Sequence, residues 1–313
     1  MSVIGVDVGG TKIAAGRMAP DLTVHGAVVI PTPTGAMAIV DAIAGVVADL
    51  ARESPDEVRG VGVGLPATID AVTGLVAHSV QTGMTAFDAA TPLRERMGVA
   101  VFLDNDATLA VLAEHRLGGA RGTDDVVLLT LGTGVGGGVI IGGRVFRGGR
   151  GHGSELGHIS VDGDGPPCQG GCPNRGCIEA MCSGTALTRQ FRAFAGAEPG
   201  SALGRLHAAG RLDSRSGLAL AREGDPDAIG ILTVAGEWLG VAVTSLANTF
   251  DPDVILIGGG VSAAGELLLG PARAIYQARA LPPTRRAPLR VAALGAEAGM
   301  VGAALMAHEG VES

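Results

Sequence analysis

Twice in this chain, about half its length apart, an apolar strand runs into a glycine tip and a second apolar strand follows. Val3 to Val8 leads into Asp7-Val8-Gly9-Gly10-Thr11-Lys12, and Ile13-Ala14-Ala15-Gly16 resumes. Val126 to Leu131 leads into Gly132-Thr133-Gly134-Val135-Gly136-Gly137-Gly138, and Val139-Ile140-Ile141 resumes. Each reads as a β-hairpin with a glycine tip. Their repetition reads as an internally duplicated fold. A third cluster, Gly258-Gly259-Gly260, follows the strand Val254-Ile255-Leu256-Ile257, and Ser262 is the predicted N-cap of a helix beyond it.

Helical stretches lie between these strands: Ala36 to Glu53, Ala107 to Leu117, Thr185 to Ala195, Ala228 to Thr249 and Ala298 to His308. Alternating strands and helices define an α/β protein. The 313 residues suggest about two domains. The change is placed at Gly118-Gly119-Ala120-Arg121-Gly122. That gives domains 1–118 and 119–297, with the last helix, 298–313, packing back on the first.

Glycine is in large excess: 52 residues, where the usual frequency of about 7% would supply roughly 22. With 47% hydrophobic residues and no Gly-X-Y period, this is neither fibrous nor disordered. Eight aromatics cannot fill the cores, so these must be aliphatic. The net charge of −8 and the lack of a basic block exclude phosphate-neutralising nucleic-acid binding. Met1-Ser2-Val3-Ile4 has no charged leader region. The apolar stretch from Val126 to Gly143 is broken by glycines and reads as two strands, not a membrane helix. A soluble cytoplasmic protein is expected.

Two nucleotide motifs are excluded. Gly132-x-Gly134-x-x-Gly137 matches the Rossmann fingerprint, but strand follows it, where that motif needs a helix N-terminus. A Walker loop needs a Gly-Lys pair, and the only lysine, Lys12, follows Thr11.

What remains can still hold phosphate. Glycine at a hairpin tip lets backbone N–H groups approach an anion. Asp7 beside such a tip could hold Mg²⁺, directly or through water. Thr11 and Thr133 offer hydroxyls. Two such hairpins make a polyphosphate clamp; the alternative is two ordinary tight turns. Asp104-Asn105-Asp106 ends a strand and opens a helix, where an Asp is either a cap or a general base for a hydroxyl proton. Glu155-Leu156-Gly157-His158 precedes Cys168, Cys172 and Cys177, with Glu179 beyond. One His and three Cys make a four-coordinate zinc set; free thiols or disulfides are the alternatives. Cys182 lies past the set and reads as a small buried residue.

In their order along the chain, these motifs resemble those of the ROK proteins (repressors, open reading frames, kinases), whose best-known enzymes are bacterial glucokinases. The resemblance runs from about residue 3 to residue 305 and rests most on Glu155-Leu-Gly-His158 with the cysteine loop. It implies an actin-like ATPase (ribonuclease H-like) fold, with two α/β domains and a central cleft. ATP and Mg²⁺ would be held at Asp7, Gly9, Gly10, Thr11, Thr133 and Gly134, with the adenosine side at Gly258 and Gly259. Asp106 maps to the catalytic base, and Asn105 to a sugar-hydroxyl contact. Glu155, His158 and Glu179 map to the sugar ring, and the Gly64-Leu65-Pro66-Ala67 loop presents main-chain groups to it. His158 doubles as a ligand of a structural zinc with Cys168, Cys172 and Cys177.

The implied activity is ATP-dependent phosphorylation of a hexose, glucose first, giving the 6-phosphate. An N-acetylhexosamine (N-acetylmannosamine or N-acetylglucosamine) or fructose is the alternative substrate. A non-catalytic sugar-sensing regulator is the other reading, and its extra DNA-binding segment finds no room ahead of a hairpin that begins by residue 3. A homodimer or homotetramer is usual for such families. Three departures stand out. Three residues lie between Cys168 and Cys172 where the family has one, so Cys168 must bulge to ligate. Gln81 and Met84 replace the family's Asn and Trp on one wall of the sugar pocket. Lys12 has no catalytic role assigned.

Overall fold

The computed structural model describes every residue except Ala71, Val72, Val80, Gly170, Gly171 and Ser313. The chain divides into two compact units. The first comprises Met1–Gly122, Gly138–Ser154 and the residues from Ala296 onward; the second comprises Thr123–Gly137 and Glu155–Gly295.

In the first unit, β1 (Ser2–Val8), β2 (Lys12–Met18) and β3 (Val24–Pro31) form an antiparallel meander. Helix α1 (Ala36–Arg52) then leads to β4 (Val58–Leu65), parallel to β1. A small antiparallel sheet follows, β5 (Thr68–Ile69), β6 (Leu75–His78) and β7 (Thr85–Asp88). Helix α2 (Ala90–Met97), strand β8 (Ala100–Asn105) and helix α3 (Asp106–Arg116) complete this part. The main sheet has the order β3-β2-β1-β4-β8.

Its two faces differ by sequence alternation. Ile4, Val6, Val61, Val63 and Leu65 join Ile39, Ile43 and Leu50 of α1 in one aliphatic core. The intervening positions on β1 and β4 include Gly5, Gly60 and Gly62. A Cβ at Gly5 would collide with Met300 O, and one at Gly62 with Ala303 O. Both acceptors belong to the last helix, which therefore lies on the sheet at backbone distance. Much of the glycine excess is thus a packing device: with few aromatics to span a gap, the layers close it instead.

The second hairpin pairs β9 (Val126–Leu131) with β10 (Val135–Ile141), and β11 (Arg144–Val145) pairs on to β10. The turn is only residues 132–134, shorter than the glycine run suggested. Gly138 is a strand position within β10, and glycine is needed there because a Cβ would lie 2.7 Å from Ala107 O and from a Val111 methyl on α3. Five helices follow in the second unit: α4 (Ile178–Cys182), α5 (Gly184–Ala197), α6 (Ala202–Ala208), α7 (Ser214–Arg222) and α8 (Pro226–Phe250). Neither α6 nor α7 was anticipated, although Asp213 and Ser216 form a capping box at the start of α7. After β12 (Val254–Gly258) the expected N-cap fails. Ser262 lies inside a 3₁₀ turn, its hydroxyl donating to Gly259 O, and α9 (Glu266–Arg279) starts after Gly265. Strand β13 (Leu289–Val291) and helix α10 (Ala298–Glu312) close the chain. The second sheet has the order β11-β10-β9-β12-β13.

Among the described residues one helix, α8, is long and apolar enough to cross a membrane. Its Leu232, Leu239, Val243 and Leu246 are buried within the fold, as in a core helix.

Candidate active site and metal centre

The tip of the first hairpin is built by backbone hydrogen bonds. Gly9 N–H donates to Lys12 O at 2.8 Å. The Thr32 hydroxyl donates to Gly9 O, and Thr32 N–H to Thr11 O. Gly10 and Thr11 are exposed. Asp7 points to the glycine face of the sheet, where a Cβ on Gly299, in the first turn of α10, would lie 2.6 Å from its carboxyl carbon. Burial pushes the Asp7 carboxyl up to about 6, offset in part by the Lys12 ammonium.

At the end of β8 the three polar residues take three different tasks. Asn105 is the N-cap: its Oδ1 accepts from Ala107 N–H and Thr108 N–H, both at 3.0 Å. Its Nδ2 donates to Ala67 O at 3.3 Å, which ties α3 to the Gly64–Ala67 loop. One amide hydrogen of Asn105 is left over for a ligand. Asp106 is the first helical residue, half-buried, where the helix dipole favours negative charge. Asp104 is buried and held by Arg147, whose Nε and one terminal nitrogen lie 2.8 and 2.7 Å from Oδ2.

In the second unit the Gly132–Gly134 turn closes through Gly132 N–H to Gly134 O at 2.9 Å. Gly184 N–H donates to Gly132 O, and the Thr185 hydroxyl to Thr133 O. The carbonyl side of the turn is therefore pinned to the start of α5. Gly259 has φ 80°, and a Cβ there would lie 2.5 Å from Leu131 O, so the third glycine cluster abuts the end of β9. Gly258 is less constrained.

Val135 joins the turn to Glu179 and Gly157. Its N–H donates to Glu179 Oε2 at 2.9 Å. A Cβ on Gly134 would collide with that same oxygen, and a Cβ on Gly157 with Val135 O. The glycine of Glu155-Leu156-Gly157-His158 is thus required by contact with β10. His158 is half-buried and Glu155 exposed.

The predicted metal ligands come together. One donor atom each from His158, Cys168, Cys172 and Cys177 lies within 4.8 Å of the others. His158 Nδ1 to Cys168 Sγ is 3.4 Å, and Cys172 Sγ to Cys177 Sγ is 3.7 Å. Ligands of a tetrahedral zinc sit roughly 3.3–3.8 Å apart, so the set fits that ion. The lengthened loop does not remove Cys168. Cys168 N–H bonds Asn174 O, and Gly176 N–H bonds Pro166 O, which draw the loop together. Burial, then the neighbouring thiols, push the Cys177 thiol up to about 12, an effect a cation would reverse. Cys182 stands apart and fully buried, its thiol donating to Ile178 O.

Two expectations change. Met84 is 1% exposed and belongs to the aliphatic core, so it is no pocket wall. The Gln81 side chain lies against Gly10, beside the hairpin tip. Residues overlooked in the sequence include Gln169, whose amide donates to Ser183 Oγ at 2.8 Å and to Glu179 O at 3.3 Å. Arg147 was overlooked as well. It stands outside every motif, and only the pairing with Asp104 reveals it.

A duplicated α/β architecture with glycine-tipped hairpins, an acid at a helix start and a carboxylate-histidine group defines a phosphotransferase of the actin-like ATPase class. Within that class the chain belongs to the ROK family, whose model matches residues 3–310. A glucokinase from Streptomyces coelicolor is 38% identical over 98% of this chain and 97% of its own length. An N-acetylmannosamine kinase from Citrobacter koseri is 31% identical over 98% of this chain and 99% of its own. The crystal structure of a ROK family glucokinase from Streptomyces griseus, in complex with glucose and AMPPNP, superposes with a TM-score of 0.88 at 36% identity. That match covers 99% of this chain and 100% of the other.

Proposed function

We propose that this chain is an ATP-dependent hexokinase that phosphorylates glucose at its 6-hydroxyl. The observation that carries this reading is the full-length likeness to a glucokinase solved with glucose and an ATP analogue. Asp106 accepts the proton of the sugar hydroxyl, whose oxygen attacks the γ-phosphorus in line as the bond to the β,γ-bridging oxygen breaks and ADP leaves. Asn105 contributes its remaining amide hydrogen to a sugar hydroxyl. Glu155, His158 and Glu179 hold the ring, and Gly64 and Ala67 offer main-chain groups to it. Backbone N–H groups at Gly10 and Gly134, with the hydroxyls of Thr11 and Thr133, cradle the phosphates, while the Gly9 N–H is spent on Lys12 O and shapes the tip. Gly258 and Gly259 lie on the adenosine side. Asp7 would hold Mg²⁺, directly or through water, and the ion would supply charge neutralisation at the phosphates. His158, Cys168, Cys172 and Cys177 would hold a zinc with no open position, which is a structural role.

A second reading, an N-acetylhexosamine kinase, is favoured by the likeness to an N-acetylmannosamine kinase. ADP release over a panel of glucose, mannose, fructose, N-acetylglucosamine and N-acetylmannosamine separates the two. Glucose is expected to give the highest kcat/KM. A preference for an N-acetylated sugar selects the second reading, and no stimulation by any sugar rejects both.

A further inference from the structure

We propose that Arg147 is a positioning residue for phosphoryl transfer, acting on Asp106 through Asp104. This rests on the assignment of Asp106 as the base. Asp104 stands two residues before Asp106, near the end of strand β8. Its two carboxylate oxygens have separate tasks. Oδ1 accepts the Asn105 N–H at 2.8 Å, and Oδ2 accepts both near nitrogens of the Arg147 guanidinium. The Asp104 side chain is 12% exposed, so the charge is held away from water and needs its partner. A fork of two donors on one oxygen fixes the carboxylate plane better than a single ammonium can.

Fixing that plane fixes the Asn105 peptide. Asn105 in turn caps α3 and bonds Ala67 O, so the first helical residue, Asp106, inherits its place from the clamp. Arg147 is itself anchored. Its carbonyl accepts Gly153 N–H at 2.9 Å, and the Ser154 hydroxyl donates to Phe146 O at 3.1 Å. These bonds close a loop whose chain runs directly on to Glu155. One guanidinium therefore joins the approach to the base with the segment that leads into Glu-x-Gly-His. Catalysis by positioning is steep: a displacement of about 1 Å costs on the order of 100-fold in rate.

The clamp also borders a cavity of about 350 Å³ lined by Ile69, Leu103, Asp104, Arg147, Gly151 and Met306. A small cation can thus reach Asp104 once the Arg147 side chain is shortened, which makes chemical rescue the decisive readout. Steady-state kinetics are measured for Arg147→Ala, Arg147→Lys and the pair Asp104→Asn with Arg147→Ala, with and without millimolar guanidinium. Arg147→Ala is expected to lose kcat by roughly 100-fold, with KM for ATP within about threefold of wild type. Arg147→Lys recovers little of this. Guanidinium restores Arg147→Ala at least about tenfold and leaves the paired variant unchanged.

The paired variant carries no orphaned charge, so it keeps the test open if Arg147→Ala fails to fold. A wild-type kcat in either folded variant, or a loss that guanidinium does not relieve in Arg147→Ala, overturns the proposal. Asp106→Asn in the same assay separates the two levels. If Asp106→Asn is inactive and Arg147→Ala is not, only the positioning role fails.

Discussion

Glu179 and Val135 are joined by a hydrogen bond of 2.9 Å from the backbone N–H of the strand to a buried carboxylate. The same Val135 meets Gly157 through its carbonyl, where no side chain fits. One residue of β10 thus seats both the Glu179 carboxylate and the 3₁₀ turn Leu156–His158.

The contact makes Gly157→Ala a sharp probe. Its added methyl must displace either Val135 or the turn, an overpacking cost of about 1–3 kcal/mol. Thermal or urea unfolding should show that loss, accompanied by weaker glucose binding. Gly163→Ala is the control, because nothing lies within 4 Å of its Cβ, and it should melt like wild type.

Asp7 predicts a pH-dependent stability. An unfolded Asp titrates near 3.8, and the native carboxyl is pushed up to about 6. Between those values the native state keeps a proton that the unfolded state has lost. Stability from this group is therefore full below the lower value and falls as pH rises towards the upper one. The deficit above it is at most about 3 kcal/mol. Without nucleotide or Mg²⁺, Asp7→Asn should be more stable than wild type to urea at pH 7.5, and the advantage should shrink towards pH 4. The same variant should require more Mg²⁺ for half-maximal activity.

The four-ligand set predicts about one zinc per chain by metal analysis. Stripping it with a strong chelator should lower the melting temperature and raise KM for glucose more than KM for ATP, since the proposed function gives His158 both tasks, metal ligand and sugar contact. Cys168→Ser should weaken retention of the metal, whereas Cys182→Ser should not, because Cys182 lies outside the set.

The clustering of the candidate residues was legible in the sequence because it depends on local order. The candidate metal ligands lie within one short segment and come together, and Asp7, Asn105 and Asp106 sit at strand and helix ends that apolar patterning marks. What escaped was set by packing between distant segments. Gly136 to Gly138 read as a turn, yet Gly138 is a strand residue facing α3. Ser262 read as a cap, but its hydroxyl turns back to Gly259 O. Met84 read as a pocket wall and is core. Arg147 lies 43 residues from Asp104, in a stretch with no motif of its own.

ADP release by Asp106→Asn, at saturating glucose and Mg²⁺-ATP, decides whether Asp106 is the base. The amide keeps the shape and cannot take the proton. The prediction is a fall in kcat of about 10²–10⁴-fold, with both KM values changed by no more than about threefold. A folded Asp106→Asn protein that retains about a tenth or more of wild-type kcat contradicts the assignment.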